Sequence, residues 1–179
     1  MQLSVFKKYI KITRGFSMIE LLVVMSIIGL MATFGVMTYP GVQKNSRDTK
    51  RRSDLKQYQT SLESFANSKG GFYPSRTSQT YASDMSGNAG DPDLCTDMGL
   101  SQCPVDPKKS YTICAGAGVC EYYYWSNGTN TTPTATSYVL YSRLENKVND
   151  NYVFFVICGS GVSGTVVSSS WTPSATCPL

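Results

Sequence analysis

The pattern of apolar and polar positions divides the chain into four stretches. Residues 1–15 mix apolar residues with Lys7, Lys8, Lys11 and Arg14. From Phe16 to Tyr39 nearly every position is apolar, and after Glu20 the next charge is Lys44. A run of that length matches the ~20 helical residues that cross a bilayer's hydrocarbon core, so residues 16–40 are predicted to span a membrane. A helix buried in a soluble core is the alternative. Over 41–69 the spacing turns helical: Leu55, Tyr58, Leu62 and Phe65 recur at three- and four-residue steps and form one apolar stripe. Lys44/Asp48, Asp48/Arg52 and Lys50/Asp54 are opposite-charge pairs four residues apart, which reads as a solvated, salt-bridged surface on the other faces. Asn67-Ser68-Lys69-Gly70-Gly71 is a helix stop, with glycine suited to the left-handed position after the last turn. Pro40 lacks an N–H and crowds the preceding turn, so a kink or local melting is expected there.

Residues 70–179 shift to Ser, Thr, Gly, Asn and aromatics. Residues 75–120 are dense in turn signals, including Ser86-Gly87-Asn88 and Asp91-Pro92-Asp93. Strand-like runs follow at Glu121–Ser126, Ser137–Leu144, Asn151–Cys158 and Thr165–Trp171, with Asn127-Gly128 opening a turn. The predicted class is α+β: a long N-terminal helix, hydrophobic in its first half, packed through its stripe on a C-terminal antiparallel sheet. Four segments result: a basic leader (1–15), a hydrophobic helix (16–40), its amphipathic continuation (41–69) and a head (70–179).

Charge narrows the chemistry. The net charge of +4 over 179 residues equals the charge of the leader's four basic residues, and every acid lies beyond Gly15. The remainder is formally neutral, so the basic balance says nothing about nucleic acid. In the run Arg47–Lys56, acids alternate with bases and no aromatic precedes Tyr58, so nucleic-acid binding is not expected. The chain has no histidine, which removes the commonest general base and metal ligand. Neither catalysis nor a resident cofactor is expected.

All six cysteines, Cys95, Cys103, Cys114, Cys120, Cys158 and Cys177, lie in the head. No Cys-x-x-Cys spacing supports zinc. Disulfides in an oxidising compartment fit better and put the head outside the cytoplasm. Spacing does not fix the connectivity; the expectation is sequential pairing, Cys95–Cys103, Cys114–Cys120 and Cys158–Cys177. Asp91, Asp93 and Asp97 raise calcium as a candidate ligand, but they do not match an EF-hand loop. Gly159-Ser160-Gly161-Val162-Ser163-Gly164 has the G-x-G-x-x-G form without a helix or a βαβ unit to follow, and is read as a turn between strands. The Tyr122-Tyr123-Tyr124-Trp125 run is read as sheet packing.

An ordinary secretory signal has a shorter apolar run followed by a small-residue cleavage site, and Met37-Thr38-Tyr39-Pro40 offers none. The stretch Arg14-Gly15-Phe16-Ser17-Met18-Ile19-Glu20, followed by an apolar helix, resembles the leader of type IV prepilins and type II secretion pseudopilins. The resemblance implies that a membrane-bound prepilin peptidase cuts after Gly15 and methylates Phe16. It also implies that Glu20 serves assembly by pairing with a Phe16 amino group, either four residues back on its own helix face or on a neighbouring subunit. A carboxylate at the centre of a membrane helix is costly and usually has such a partner; a glutamate that merely sits at the headgroup level is the alternative. Arg47-Asp48-Thr49-Lys50-Arg51-Arg52-Ser53-Asp54-Leu55 and Gly71-Phe72-Tyr73-Pro74 resemble the G-type pseudopilins. The implied protein is a structural subunit of a type IV pilus or type II secretion pseudopilus. It would be anchored once in the bacterial inner membrane and drawn into a filament by a platform protein and an assembly ATPase. A minor pilin whose head binds DNA or a surface ligand is the alternative. Lys44, Arg47, Lys50, Arg51, Arg52 and Lys56 after the span oppose this orientation on the positive-inside rule.

Overall fold

The structure is a computed structural model that describes residues 15–76, 79–82, 94–109, 120–129 and 133–179. Its long helix α1 runs Met18–Ser68 and contains Pro40. The chain forms two compact units, one ending at Pro40 and one comprising Gly41–Leu179.

In the first unit the helix is apolar on all sides, with a mean hydropathy of 2.2 over Met18–Val36 and none of that window buried. Its hydroxyls are satisfied within the helix. Ser26 Oγ donates to Val23 O at 2.7 Å, Thr33 Oγ1 to Leu30 O at 2.7 Å and Thr38 Oγ1 to Gly35 O at 3.2 Å. Hydrocarbon offers no partner to a polar group, so such back-bonding is what a lipid-facing helix requires of its Ser and Thr. Pro40 is helical here, and its missing N–H deprives the Val36 carbonyl of its usual donor.

In the second unit α1 ends at Gly70 and Gly71, whose φ angles are +69° and +92°. Gly71 N donates to Ala66 O at 2.8 Å, the six-to-one bond of a Schellman stop. Among the described residues five strands follow in an antiparallel meander: β1 (Thr80–Tyr81), β2 (Tyr122–Ser126), β3 (Tyr138–Arg143), β4 (Val153–Cys158) and β5 (Ser163–Val167), in spatial order β1-β2-β3-β4-β5. A short helix α2 (Leu94–Asp97) lies between β1 and β2 in sequence. Cys158 and Ser163 bound the turn read from the glycine-rich run.

Strand alternation creates two cores. On one face Tyr122, Tyr124, Tyr138, Leu140, Phe155 and Ile157 pack with Leu55, Tyr58, Leu62 and Ala66 of α1. The stripe holds except that Ala66 is its last fully buried position and Phe65 is only partly covered. The tyrosines suit this core because each buried ring keeps a polar tip that finds an acceptor. Tyr58 donates to Pro104 O at 2.8 Å, Tyr124 to Pro74 O at 2.6 Å, and Tyr73 and Tyr138 both to Glu63 at 3.0 Å. On the other face Tyr123, Val139, Tyr141, Val156 and Cys158 meet Phe154, Val166, Trp171 and Cys177. Tyr123 stacks on Tyr141 at 4.9 Å, and Trp171 meets Tyr141 edge-on at 5.2 Å. Trp171 was expected at the end of the last strand; it belongs instead to an irregular C-terminal tail that covers this second face.

Cys158 and Cys177 are disulfide-bonded, with 5.7 Å between Cα atoms, and tie the tail down. Cys95 and Cys103 are likewise bonded at 5.9 Å. Cys120 is disulfide-bonded too; Cys114, its expected partner, lies outside the described residues. The Cys158–Cys177 bridge closes a 19-residue separation, for which the chain-entropy relation gives about 3 kcal/mol. Cys158→Ser/Cys177→Ser is therefore predicted to lower the head's unfolding midpoint and to red-shift the fluorescence of Trp171 as the tail lifts. An unchanged emission maximum would show that packing alone holds the tail.

Candidate functional site

Two groups of residues stand out: the N-terminal turn and a buried charge cluster in the head.

Gly15, Phe16 and Ser17 lie outside the helix, and α1 starts at Met18. Ser17 is the N-cap: its carbonyl accepts from Leu21 N at 3.2 Å. Three residues on, the Glu20 carboxylate turns back and accepts from Ser17 N at 3.4 Å. This is the Glu half of an S-x-x-E capping box, and it also places the negative charge at the helix's positive end. The Gly15–Phe16 bond thus precedes the first helical turn, and the Phe16 side chain is 75% exposed. Glu20 is bonded to Ser17, not to Phe16, whose nitrogen is a peptide amide. The sequence already contained this signal, a serine three residues ahead of a glutamate at the head of an apolar run.

The charge cluster corrects a sequence expectation. Asp48 and Asp54 were assigned to a solvated surface, yet they are 3% and 9% exposed, and Arg51 beside them is 1% exposed. Arg51 donates through Nε and Nη2 to both oxygens of Asp106, at 2.7 and 3.0 Å, and through Nη1 to Asp48 at 2.9 Å and Glu145 at 3.1 Å. Glu145 is also held by Arg47 at 2.6 Å and Lys108 at 3.0 Å. Asp48 accepts the backbone N–H groups of Glu145 and Asn146 at 2.8 and 3.2 Å. Asp54 accepts from Tyr122 at 2.6 Å. One local pair remains, Asp48 with Arg51 three residues along α1. The closest further partners of Asp48, Arg51 and Asp54 come from far along the chain, where the head supplies better geometry than an exposed local pair.

Burial opposes the charge on Arg51, but Asp106, Asp48 and Glu145 overcome it and hold the guanidinium above its ordinary value. Burial likewise works to raise Glu145, but the bonds from Arg47 and Lys108 and the charge of Arg51 outweigh it and hold the carboxyl at about 2. Burial dominates at Asp54 and raises it despite the Tyr122 hydrogen bond. The signs differ. Glu145, lowered from 4.5, contributes stability that is complete above that value and is lost as pH falls toward about 2. That contribution is on the order of 3 kcal/mol. Asp54, raised, contributes in the opposite sense, losing stability as pH rises through its folded value. The fall in melting temperature between about pH 6 and pH 3 is predicted to be smaller in Glu145→Gln than in the wild-type chain. Equal falls would remove Glu145 from the acid limb.

No group of three His, Cys, Asp or Glu side chains suited to a metal occurs among the described residues. Asp97, one of the calcium candidates, is ion-paired with Arg76 at 2.6 Å. Asp91 and Asp93 lie outside the described residues.

Fold and site together define a pilin-like arrangement: a capped, lipid-compatible helix leading into an α+β head. The family model for the prokaryotic N-terminal methylation motif matches residues 10–36. That match, the type IV prepilin-like signal, contains Gly15, Phe16 and Glu20 and supports the pilin and pseudopilin family. No curated protein and no solved structure matches the chain significantly.

Proposed function

We propose that the chain is a structural subunit of a type IV pilus or type II secretion pseudopilus. Prepilin peptidase cleaves it after Gly15 and methylates Phe16, and its apolar helices then pack laterally into a filament core. The observation that carries this reading is the methylation motif at residues 10–36, laid over a helix with no buried side chain in its Met18–Val36 window. An unburied apolar helix needs either lipid or copies of itself, and a filament drawn from a membrane supplies each in turn. Before assembly the helix anchors the chain once in the inner membrane, with the disulfide-bonded head outside the cytoplasm. Pro40 gives the helix a place to bend during extraction. A platform protein and an assembly ATPase are the implied partners.

The reading is tested by shearing filaments from cells expressing the chain, with and without the peptidase. Recovery of the chain in sheared filaments only when the peptidase is present supports it. Filaments of full-length, uncleaved chain would refute it.

A further inference from the structure

Beside the charge cluster lies a cavity of about 190 Å³ whose walls include Lys44, Lys108, Arg143, Glu145 and Tyr152. Among the described residues its charges do not balance. Glu145 is already shared by Arg47, Arg51 and Lys108. Asp48 and Asp106 are both bonded to Arg51. Lys44 and Arg143 meet no carboxylate among the described residues, and the Arg143 guanidinium lies 4.3 Å from the centre of the Tyr152 ring. Lys147 sits 4.7 Å from the same ring and adds a further positive charge at the rim. Among the described residues the cavity thus presents an ammonium and a guanidinium without counter-ions, plus a second ammonium that shares its one carboxylate.

We propose that this cavity binds a phosphate group. The volume is below that of pockets that enclose drug-sized molecules and suits a small oxyanion. A tetrahedral anion offers several acceptors to donors converging from different elements, and guanidinium and ammonium groups are the usual phosphate binders. Nucleic acid is disfavoured because Tyr152, the aromatic ring in the wall, is already covered by Arg143 and Lys147 and offers no platform for a base.

The phosphate has two possible sources, dissolved phosphate or an anionic phospholipid headgroup. The second rests on the membrane-anchored reading. Lys44 follows Val36, the end of the apolar window, by eight residues, so covalent reach alone keeps it within about 28 Å of the span's end. Headgroups are then at high effective concentration.

The test uses the full isotope-labelled chain in detergent micelles, with the Leu144 and Tyr152 amide resonances as readout. Inorganic phosphate is titrated against chloride at matched ionic strength, and the Lys44→Gln/Arg143→Gln variant is run beside it. Both replaced residues lie outside the Arg51 ion pairs, and an unchanged circular dichroism spectrum verifies the variant's fold. Saturable shifts with phosphate, absent with chloride and at least about tenfold weaker in the variant, are expected. The same shifts in phosphatidylglycerol nanodiscs, absent in phosphatidylcholine, assign the phosphate to a headgroup; their absence there assigns it to solution. No saturable response to phosphate, equal affinity in the variant, or a response only to a single-stranded oligonucleotide overturns the site. Phosphate binding in micelles does not depend on cleavage after Gly15, so its failure is separable from failure of the filament reading.

Discussion

Arg51→Ala is expected to destabilise the head by about 3–5 kcal/mol, the usual cost of removing one partner from a buried ion pair. Domains of this size are stable by only ~5–15 kcal/mol, so a large share of the total is at stake. The cause is what remains after the change. Asp48 and Asp106, both nearly inaccessible, would face each other and Glu145 without the cation that joins them. Arg51→Lys restores charge but not the two-pronged bond to Asp106, and is expected to recover only part of the loss. Urea unfolding of the full chain, followed by tryptophan fluorescence, measures both. A loss below about 1 kcal/mol for Arg51→Ala would mean that the cluster is solvated after all, as an exposed pair would be.

Glu20→Ala is expected to leave cleavage after Gly15 intact while lowering the chain's content in sheared filaments at least about tenfold. Glu20 sits in the first turn of α1, where a carboxylate costs less than the roughly 2.5–3.5 kcal/mol of a mid-helix charge, so its removal should not hinder insertion. The deficit should therefore appear at assembly, where the freed Phe16 amine is the natural partner. Losing an ion pair in an apolar surrounding readily exceeds the 1.4 kcal/mol that corresponds to tenfold. Loss of the bond to Ser17 weakens the helix start as well, by roughly 0.5–1 kcal/mol, too little to account for failure by itself. Quantitative immunoblots of the membrane and filament fractions separate the two steps. Equal filament yield would reduce Glu20 to a capping residue.

The elements most legible in the sequence were those whose period is long enough to see. Leu55, Tyr58 and Leu62 repeat over two turns and face the sheet as their spacing implies. Four of the five strands among the described residues carry five or six residues each, long enough to show as strand-like runs. Successive side chains face opposite sides of the sheet, so Tyr122 and Tyr124 fall on one core and Tyr123 on the other. Two elements were too short for any period to show: Thr80–Tyr81 pairs with β2 over two residues, and α2 is a single turn.

The charge cluster was misread for a different reason. Local spacing reports only neighbours on the same helix: Arg51 and Asp48 do pair with each other, but their other partners, Asp106, Glu145 and Asn146, are brought in by tertiary structure. The second core was hidden because the tail beyond β5 is irregular. Trp171 in a Ser- and Thr-rich segment was its one visible sign. At the N-terminus the prepilin-like motif was legible because consecutive residues carry it, whereas the equally local Ser17–Glu20 capping signal was present but went unread.

The decisive measurement is the intact mass and N-terminal sequence of the chain recovered from cells with and without active prepilin peptidase. With the peptidase, the account predicts a chain that begins at N-methylated Phe16; without it, one that retains Met1–Gly15. A chain that keeps its leader while the peptidase is active would contradict the account, leaving a membrane-compatible helix joined to a disulfide-bonded head with no route into a filament.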